Sequence, residues 1–232
     1  MSAIDKKPAG ARPALLSQIR GARPAKPQVD TAPAAPAARR PRLVFAVDAT
    51  ASREAAWASA KKITDRMFGV IPNALDVALA VHGGDDLHTF TTFSADVDAF
   101  RKQAAAVDCE SGVTRLCDIM ARTLDAGGVR VMSYIGDAFE EDADEALKLA
   151  DRFRLRGIQA VMLSDGAEGK PLEVFRQIAE RTGGAVLDFR AGDAALMGEL
   201  LAGVATLAIG GRRLLEAQHT AGARLLLTHL PR

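Results

Sequence analysis

The chain contains few cysteines and few aromatic residues. It has two cysteines, one tryptophan and one tyrosine among 232 residues, and aromatic side chains make up only 5% of the total. Cys109 and Cys117 are too few for a disulfide framework and lack the spacing of a zinc site, so we expect both to be reduced thiols. With so few rings, the core must consist mainly of Ala, Val, Leu and Ile side chains.

Long apolar runs and nucleotide-binding motifs are absent from the sequence as well. No apolar run reaches the roughly 18 residues of a membrane span, and the N-terminus has no apolar signal-peptide core. We therefore expect a cytoplasmic protein without a membrane segment. No G-x-G-x-x-G follows the first predicted strand and no Walker lysine motif occurs, which disfavours a nucleotide-binding or metal-free scaffold fold without excluding it.

Charge is distributed unevenly along the chain. Residues 1–42 carry nine Lys/Arg and two Asp, whereas the remainder carries 21 Lys/Arg and 27 Asp/Glu. The same N-terminal stretch holds seven of the ten prolines and no aromatic residue. Such a segment cannot bury enough apolar surface to fold alone. We expect residues 1–41 to be a disordered, basic, Ala/Pro-rich tail whose charge would suit an acidic protein or nucleic acid.

From residue 42 onwards, strand and helix patterns alternate. The strands are predicted at 43–47, 77–81, 87–93, 129–135, 158–163 and 185–189, with a Gly-containing hairpin between the second and third. The helices are predicted to start at Ser52, Ser94, Thr114, the acidic residues 140–145, Pro171 and Asp193, the last weakening at Gly210-Gly211. This order predicts an α/β domain over 42–209, followed by a C-terminal extension, 210–232. We expect a three-layer, doubly wound, Rossmann-like, mostly parallel sheet with one antiparallel edge strand.

Oxygen-bearing side chains follow the predicted strands at one edge of this sheet. Asp48, Thr50 and Ser52 come directly after the first strand, in the pattern Asp-x-Thr-x-Ser. Thr114 begins a later helix, and Asp137 follows the apolar strand 129–135. The carboxyl ends of parallel strands are where open α/β sheets bind ligands. Carboxylate and hydroxyl oxygens are hard ligands, which suit Mg²⁺ or Mn²⁺.

In these motifs the chain resembles the von Willebrand factor A-type (VWA) domain. That family's metal-ion-dependent adhesion site (MIDAS) uses Asp-x-Ser-x-Ser, then a threonine, then an aspartate, in this order. The resemblance covers roughly residues 42–209; 178–184 is similar to the family's last helix and turn. Two departures are present: Thr50 replaces a serine, and Ile135-Gly136-Asp137-Ala138 replaces the commoner Thr-Asp-Gly.

The resemblance implies a metal site and a mode of binding. Thr50, Ser52 and Thr114 would offer neutral oxygens to one Mg²⁺ or Mn²⁺ ion, and Asp48 and Asp137 would act largely through waters. A partner's Asp or Glu would complete the octahedral shell. The function so implied is that of an intracellular protein–protein interaction module, not an enzyme.

Other interpretations of the same residues remain open. A phosphohydrolase resembling the haloacid dehalogenase superfamily would use Asp48 as nucleophile, but it needs a second aspartate where this chain has Thr50. Thr50, Ser52, Thr114 and Asp137 could also be simple helix caps. His82 and His88 flank the hairpin turn, where we expect both to be polar surface residues.

Overall fold

A six-stranded sheet lies at the centre of the part of the chain that the computed structural model describes, which is residues 39–50, 74–84, 86–189 and 194–232. The strands are β1 (Arg42–Asp48), β2 (Asp76–Gly83), β3 (Asp86–Phe90), β4 (Val129–Gly136), β5 (Gln159–Ser164) and β6 (Ala185–Asp188). Their order across the sheet is β3-β2-β1-β4-β5-β6. All neighbouring pairs are parallel except β2 and β3, which form the antiparallel hairpin at the edge. This confirms the predicted fold class.

Helices cover both faces of the sheet. The described helices are α1 (Val97–Ala105), α2 (Leu116–Ala126), α3 (Ala143–Arg156), α4 (Gly169–Thr182), α5 (Ala194–Glu216) and α6 (Ala221–His229). Buried residues of α1, α5 and α6 share one apolar cluster with the sheet, and those of α2, α3 and α4 share the other. The predicted three layers are therefore present.

β1 contributes to both apolar clusters because its side chains alternate between the two faces. Leu43, Phe45 and Val47 belong to the cluster of α1, α5 and α6. Val44 and Ala46 belong to the opposite cluster. The Phe45 ring packs edge-on against Phe100 of α1, with ring centroids 5.9 Å apart. Complete burial of such a side chain contributes about 1.5–3 kcal/mol to stability, so β1 anchors both layers.

α5 is the apolar helix of the first face. Its stretch Ala195–Glu216 has a mean hydropathy of 1.3, which by length and composition would suit a membrane span, but 61% of its most apolar window is buried inside the fold. The helix is kinked at Gly211, which adopts φ 65°. α6 then packs against α5 and β6. Residues 210–232 thus continue the core helix and complete one face of the sheet.

The described helix starts differ from the predicted ones in three places, one of which is α4, which begins at Gly169 rather than at Pro171. Asp96, not Ser94, caps α1: its Oδ1 accepts hydrogen bonds from the Asp98 and Ala99 amides, both at 3.0 Å. α2 begins at Leu116 rather than at Thr114. The predicted helix after Ser52, the start at Asp193 and residues 1–38 of the tail lie outside the described residues, and the predicted domain boundaries stay predictions.

Close packing of β5 against the start of β6 generates a first prediction. A Cβ added at Gly184 would lie 1.8 Å from the Ala160 carbonyl oxygen. We expect Gly184→Ala to separate the two strands and to lower the free energy of unfolding by about 3 kcal/mol, the upper range for overpacking. Gly203 in α5 is the matched control, because an added Cβ there meets no atom closer than 3.5 Å.

Urea denaturation of both variants tests this difference. Gly203→Ala should be neutral or stabilising by up to about 1 kcal/mol, because alanine favours the helix. Equal midpoints for Gly184→Ala and the wild type would show that the two strands are not as closely packed as described.

Candidate functional site

The predicted metal-site residues follow neighbouring strands at one edge of the sheet. Asp48 ends β1 and is completely buried, and Thr50 lies two residues beyond it and is half-buried. Asp137 directly follows β4, the parallel neighbour of β1, and is also half-buried. Thr114 is 1% exposed in the loop before α2. Ser52 lies outside the described residues.

Main-chain hydrogen bonds fasten the loop before α2 to the ends of β1 and β2. The Ala49 amide donates to the His82 carbonyl at 2.8 Å, and the Glu110 amide donates to the Ala49 carbonyl at 3.0 Å. The amides of Gly84 and Val113 complete the set, donating to the Glu110 and Gly84 carbonyls at 3.4 and 2.9 Å. The structure therefore places the loop of Thr114 beside the loop of Asp48.

Two local features define the conformation of these loops. Asp48 Oδ1 accepts a hydrogen bond from the Thr50 amide at 2.9 Å, which organises the turn after β1. A Cβ at Gly112 would lie only 1.6 Å from the Gly84 carbonyl oxygen. Glycine is thus required at position 112 for the loop before α2 to approach the hairpin so closely.

Thr114 and Glu140 form a reciprocal pair between two of the loops. The Glu140 amide donates to Thr114 Oγ1 at 2.9 Å, and the Thr114 amide donates to Glu140 Oε2 at 3.3 Å. A hydroxyl oxygen has two acceptor positions, so this contact leaves one on Thr114 Oγ1. Thr114 is consequently held by the loop that follows β4, and its hydroxyl is not the cap of α2.

Glu141 supplies the cap of α2 instead. Its Oε1 accepts from the Leu116 amide at 2.6 Å and its Oε2 from the Cys117 amide at 2.9 Å. The acidic cluster is expected to favour the start of the helix that follows it, but the carboxylates of Glu140 and Glu141 accept hydrogen bonds from the segment of Thr114, Leu116 and Cys117 instead. The expectation is correct for Asp142, whose carboxylate accepts from the Asp144 amide at the start of α3.

Burial alters the ionisation of the two groups at this cap. It raises the pKa of the Glu141 carboxyl, against the opposing effect of the hydrogen bonds from Cys117 and Leu116. Burial, together with the neighbouring Glu141, also raises the pKa of the Cys117 thiol far above its ordinary value. Since the thiolate is the form that reacts or binds metal, Cys117 is an inert core residue.

His82 is buried at the end of β2, so its assignment to the polar surface is wrong. It is 0% exposed, with Nε2 2.9 Å from the hydroxyl of Tyr134 and the two rings stacked at 5.8 Å. Its Nδ1 lies 4.0 Å from Asp48 Oδ1. His88 remains at the surface, with its side chain 36% exposed. The one available signal was the apolar run 77–81, of which His82 is the direct continuation.

The environment of His82 favours the neutral ring. Burial lowers its pKa to about 4, and the electrostatic effects of His88 and Arg115 act in the same direction, against the opposite effect of Asp118. His82 and Tyr134 therefore form a neutral, buried polar pair beneath the loop of Asp48.

The described donors at this edge are oxygens. In the part of the chain that the structure describes, no group of three or more His, Cys, Asp or Glu side chains is placed to hold a metal ion. This excludes a zinc-type cluster there. The predicted set does not require one, since it comprises two carboxylates and three hydroxyls. Such a donor set fits Mg²⁺ or Mn²⁺, and the metal site itself stays a prediction.

The cap formed by Glu141 generates a second prediction. Glu141→Ala would leave the buried amides of Leu116 and Cys117 without an acceptor, and we expect a loss of about 1–3 kcal/mol in the free energy of unfolding. Urea denaturation measures this loss. Glu180→Ala, which removes an exposed carboxylate from α4, is the control and should change stability by less than about 0.5 kcal/mol. Equal effects of the two substitutions would contradict the capping role.

The buried His82 generates a third prediction, on pH. A histidine whose folded pKa is lowered binds fewer protons in the folded than in the unfolded state, so its contribution is complete above pH 6.5. That contribution is lost as the pH falls towards about 4. We expect the wild type to lose about 3 kcal/mol more than His82→Gln over this interval. Unfolding free energies measured at pH 7, 5.5 and 4 test the difference, and parallel curves would show that His82 does not titrate as described.

Comparison with known proteins places the fold. Neither a protein-family model nor a curated protein matches the chain, but solved structures do. A von Willebrand factor type A structure from Catenulispora acidiphila is 17% identical with a TM-score of 0.59, covering 74% of this chain and 43% of that chain. The SpRpn10 VWA domain is 13% identical with a TM-score of 0.55, covering 71% and 95%. The pilus adhesin SpaC from Lactobacillus rhamnosus GG, in its open conformation, is 12% identical with a TM-score of 0.58, covering 77% and 31%.

The chain spans less than half the length of the Catenulispora and Lactobacillus chains and nearly all of the SpRpn10 domain. At these identities the likeness concerns the fold alone. It agrees with the six-stranded sheet, its antiparallel edge strand and the helices on both faces. The described part of the chain therefore has the fold of a von Willebrand factor A-type domain.

Proposed function

We propose that the chain is a protein-interaction module that binds its partner through a divalent metal ion at the loops of Asp48, Thr114 and Asp137. The observation that supports this most directly is the attachment of the loop before α2 to the end of β1 by main-chain hydrogen bonds. It brings the hydroxyl of Thr114 to the edge at which the carboxylates of β1 and β4 lie.

In this proposal Thr50, Ser52 and Thr114 hold the ion directly through neutral oxygens, and Asp48 and Asp137 act largely through water molecules. Mg²⁺ or Mn²⁺ is the metal that suits this donor set. When bound, the ion would supply an electrophilic position for an Asp or Glu carboxylate of a protein partner. Few direct negative ligands would leave that position strongly attractive to an anion.

The chain's own residues prepare the site. The Thr50 amide orients the Asp48 carboxylate from the loop side. The Glu140 amide fixes the hydroxyl of Thr114. The neutral pair of His82 and Tyr134 fills the space beneath without adding a positive charge, because burial holds the pKa of His82 at about 4. A site whose donors are already positioned loses less conformational entropy on binding.

A binding function accounts for position 50 better than hydrolysis does. A phosphohydrolase with Asp48 as nucleophile would require a second carboxylate to transfer the proton, and the Thr50 hydroxyl does not ionise near neutral pH. We extend the proposal to a cytoplasmic location, with the basic residues 1–41 contacting an acidic protein or nucleic acid.

Calorimetric titration of Mg²⁺ and Mn²⁺ tests the proposal and is the fourth prediction. We expect one ion per chain for the wild type and none for Asp48→Asn/Asp137→Asn, which removes both carboxylates without changing side-chain size. Asp125→Asn/Glu180→Gln makes the same change in charge on exposed helix positions away from the site and should bind like the wild type. Thermal denaturation checks that each variant is folded.

A second titration uses a peptide with one central glutamate. We expect it to bind the wild type in Mg²⁺ and to lose binding when EDTA replaces the metal or when its glutamate is changed to glutamine. Absence of metal binding both with and without the peptide, in folded wild-type protein, would overturn the proposed function.

A further inference from the structure

A cavity lined by arginines lies at the opposite edge of the sheet, where β1 and β4 begin. Its volume is about 250 Å³, and its wall contains Arg39, Arg40, Arg42 and Arg130 together with the main chain of the Gly127-Gly128 turn. We call it the arginine pocket. It is remote in the fold from the loops of Asp48 and Asp137, because parallel strands begin and end at opposite edges of a sheet.

The four arginines differ in the contacts that their guanidinium groups already make. Arg42 is committed to the fold: it donates to the Ala126 and Gly127 carbonyls at 3.0 and 3.1 Å and lies 4.6 Å above the Phe93 ring. Arg40 makes one exposed contact of 3.5 Å with Asp76, a type of pair that contributes little. Within the described part of the chain, Arg39 and Arg130 have no hydrogen-bond acceptor and no carboxylate partner.

The positive charge of the arginine pocket is only partly balanced, because Asp76 pairs with Arg40 alone. Its wall contains no Asp or Glu among the described residues. Residues 1–38, which precede it in the sequence, carry six Lys/Arg and two Asp, a net charge of the same sign as that of the pocket. Planar guanidinium groups with free N–H donors bind phosphate oxygens in pairs, which makes an anion the natural ligand.

The volume of the arginine pocket and its apolar wall residues indicate which class of anion would fit. About 250 Å³ is below the roughly 300–1,000 Å³ of pockets for drug-sized ligands, which favours a small molecule. Pro41 and Ile209 add apolar surface beside the arginines. We propose that the arginine pocket binds a small phosphate monoester, with its phosphate on Arg39 and Arg130 and its organic part against Pro41 and Ile209. The dianionic phosphate group of a monoester has three terminal oxygens, so it can accept hydrogen bonds from both guanidinium groups at once.

Nucleic acid fits the described surface less well. A nucleic-acid interface is expected to present its basic residues as a stripe or patch that follows the backbone. Here the arginines with available donors surround one small concavity. The inference is independent of the metal site, since it uses residues at the other edge of the sheet.

Calorimetry with the full chain tests the proposal, using phenyl phosphate and inorganic phosphate as probes. We expect phenyl phosphate to bind the wild type more tightly than inorganic phosphate, because it also contacts the apolar walls. Arg39→Gln/Arg130→Gln should weaken phenyl phosphate binding by about tenfold or more, the loss expected for charge-assisted hydrogen bonds. Arg130→Lys should give an intermediate loss, since it keeps the charge and removes the fork.

The matched control is Arg152→Gln/Arg154→Gln, which removes two positive charges from the exposed surface of α3. It should change the dissociation constant for phenyl phosphate by less than about twofold.

An equal loss of phenyl phosphate binding in both double variants would indicate diffuse electrostatic attraction and overturn the proposal. So would absence of binding to the wild type, or equal or tighter binding of inorganic phosphate. Tighter binding of a single-stranded RNA oligomer, weakened equally in both double variants, would identify a polyanion surface instead and would also overturn it.

Discussion

The structure depends on the burial of β1, from Leu43 to Asp48, between two layers of helices. Its side chains alternate into both apolar clusters, and its main chain pairs with β2 on one side and with β4 on the other. The order of the strands reverses at this point, since the chain proceeds to β2 in one direction and later to β4 in the other. Such a reversal opens a crevice at the carboxyl ends of the strands. Asp48 and Asp137 lie at this point of reversal because Asp48 ends β1 and Asp137 directly follows β4.

Burial at the end of β1 makes the polar groups there dependent on one another. Asp48, His82 and Tyr134 belong to three neighbouring strands, and none of the three is exposed. A buried polar group without a partner is costly, so such groups are normally found in pairs or chains. The hydrogen bond of His82 to Tyr134 and the turn around Asp48 Oδ1 are examples. The charge state and orientation of the polar groups at this edge therefore depend on packing as much as on the residues that face solvent.

Features that arise from local periodicity were predictable from the sequence, and those that join distant segments were not. The strand 43–47, the Gly-containing hairpin and the helix that contains Pro171 each have a short-range signal, and the structure contains them. The capping of α2 by Glu141 joins residues 25 and 24 positions apart, and nothing in the pattern around residue 141 indicates its partner. His82 was misassigned because a hairpin position is normally exposed, whereas the packing of Tyr134 encloses this one. The four predicted site residues that the structure describes lie at the end of β1 or on loops at the same sheet edge, as the strand order alone predicts.

The pairing of the loop before α2 with the loop after β4 has a mechanical consequence. Thr114 and Glu140 exchange two hydrogen bonds, and Glu141 accepts two more from the first amides of α2. The start of α2 and the segment bearing Asp137 are thereby coupled and would move as one unit. If α2 moved along its axis, the segment bearing Asp137 would have to move with it, unless these hydrogen bonds broke together. Any signal carried through this edge of the domain would consequently be a concerted step rather than a gradual adjustment of one loop.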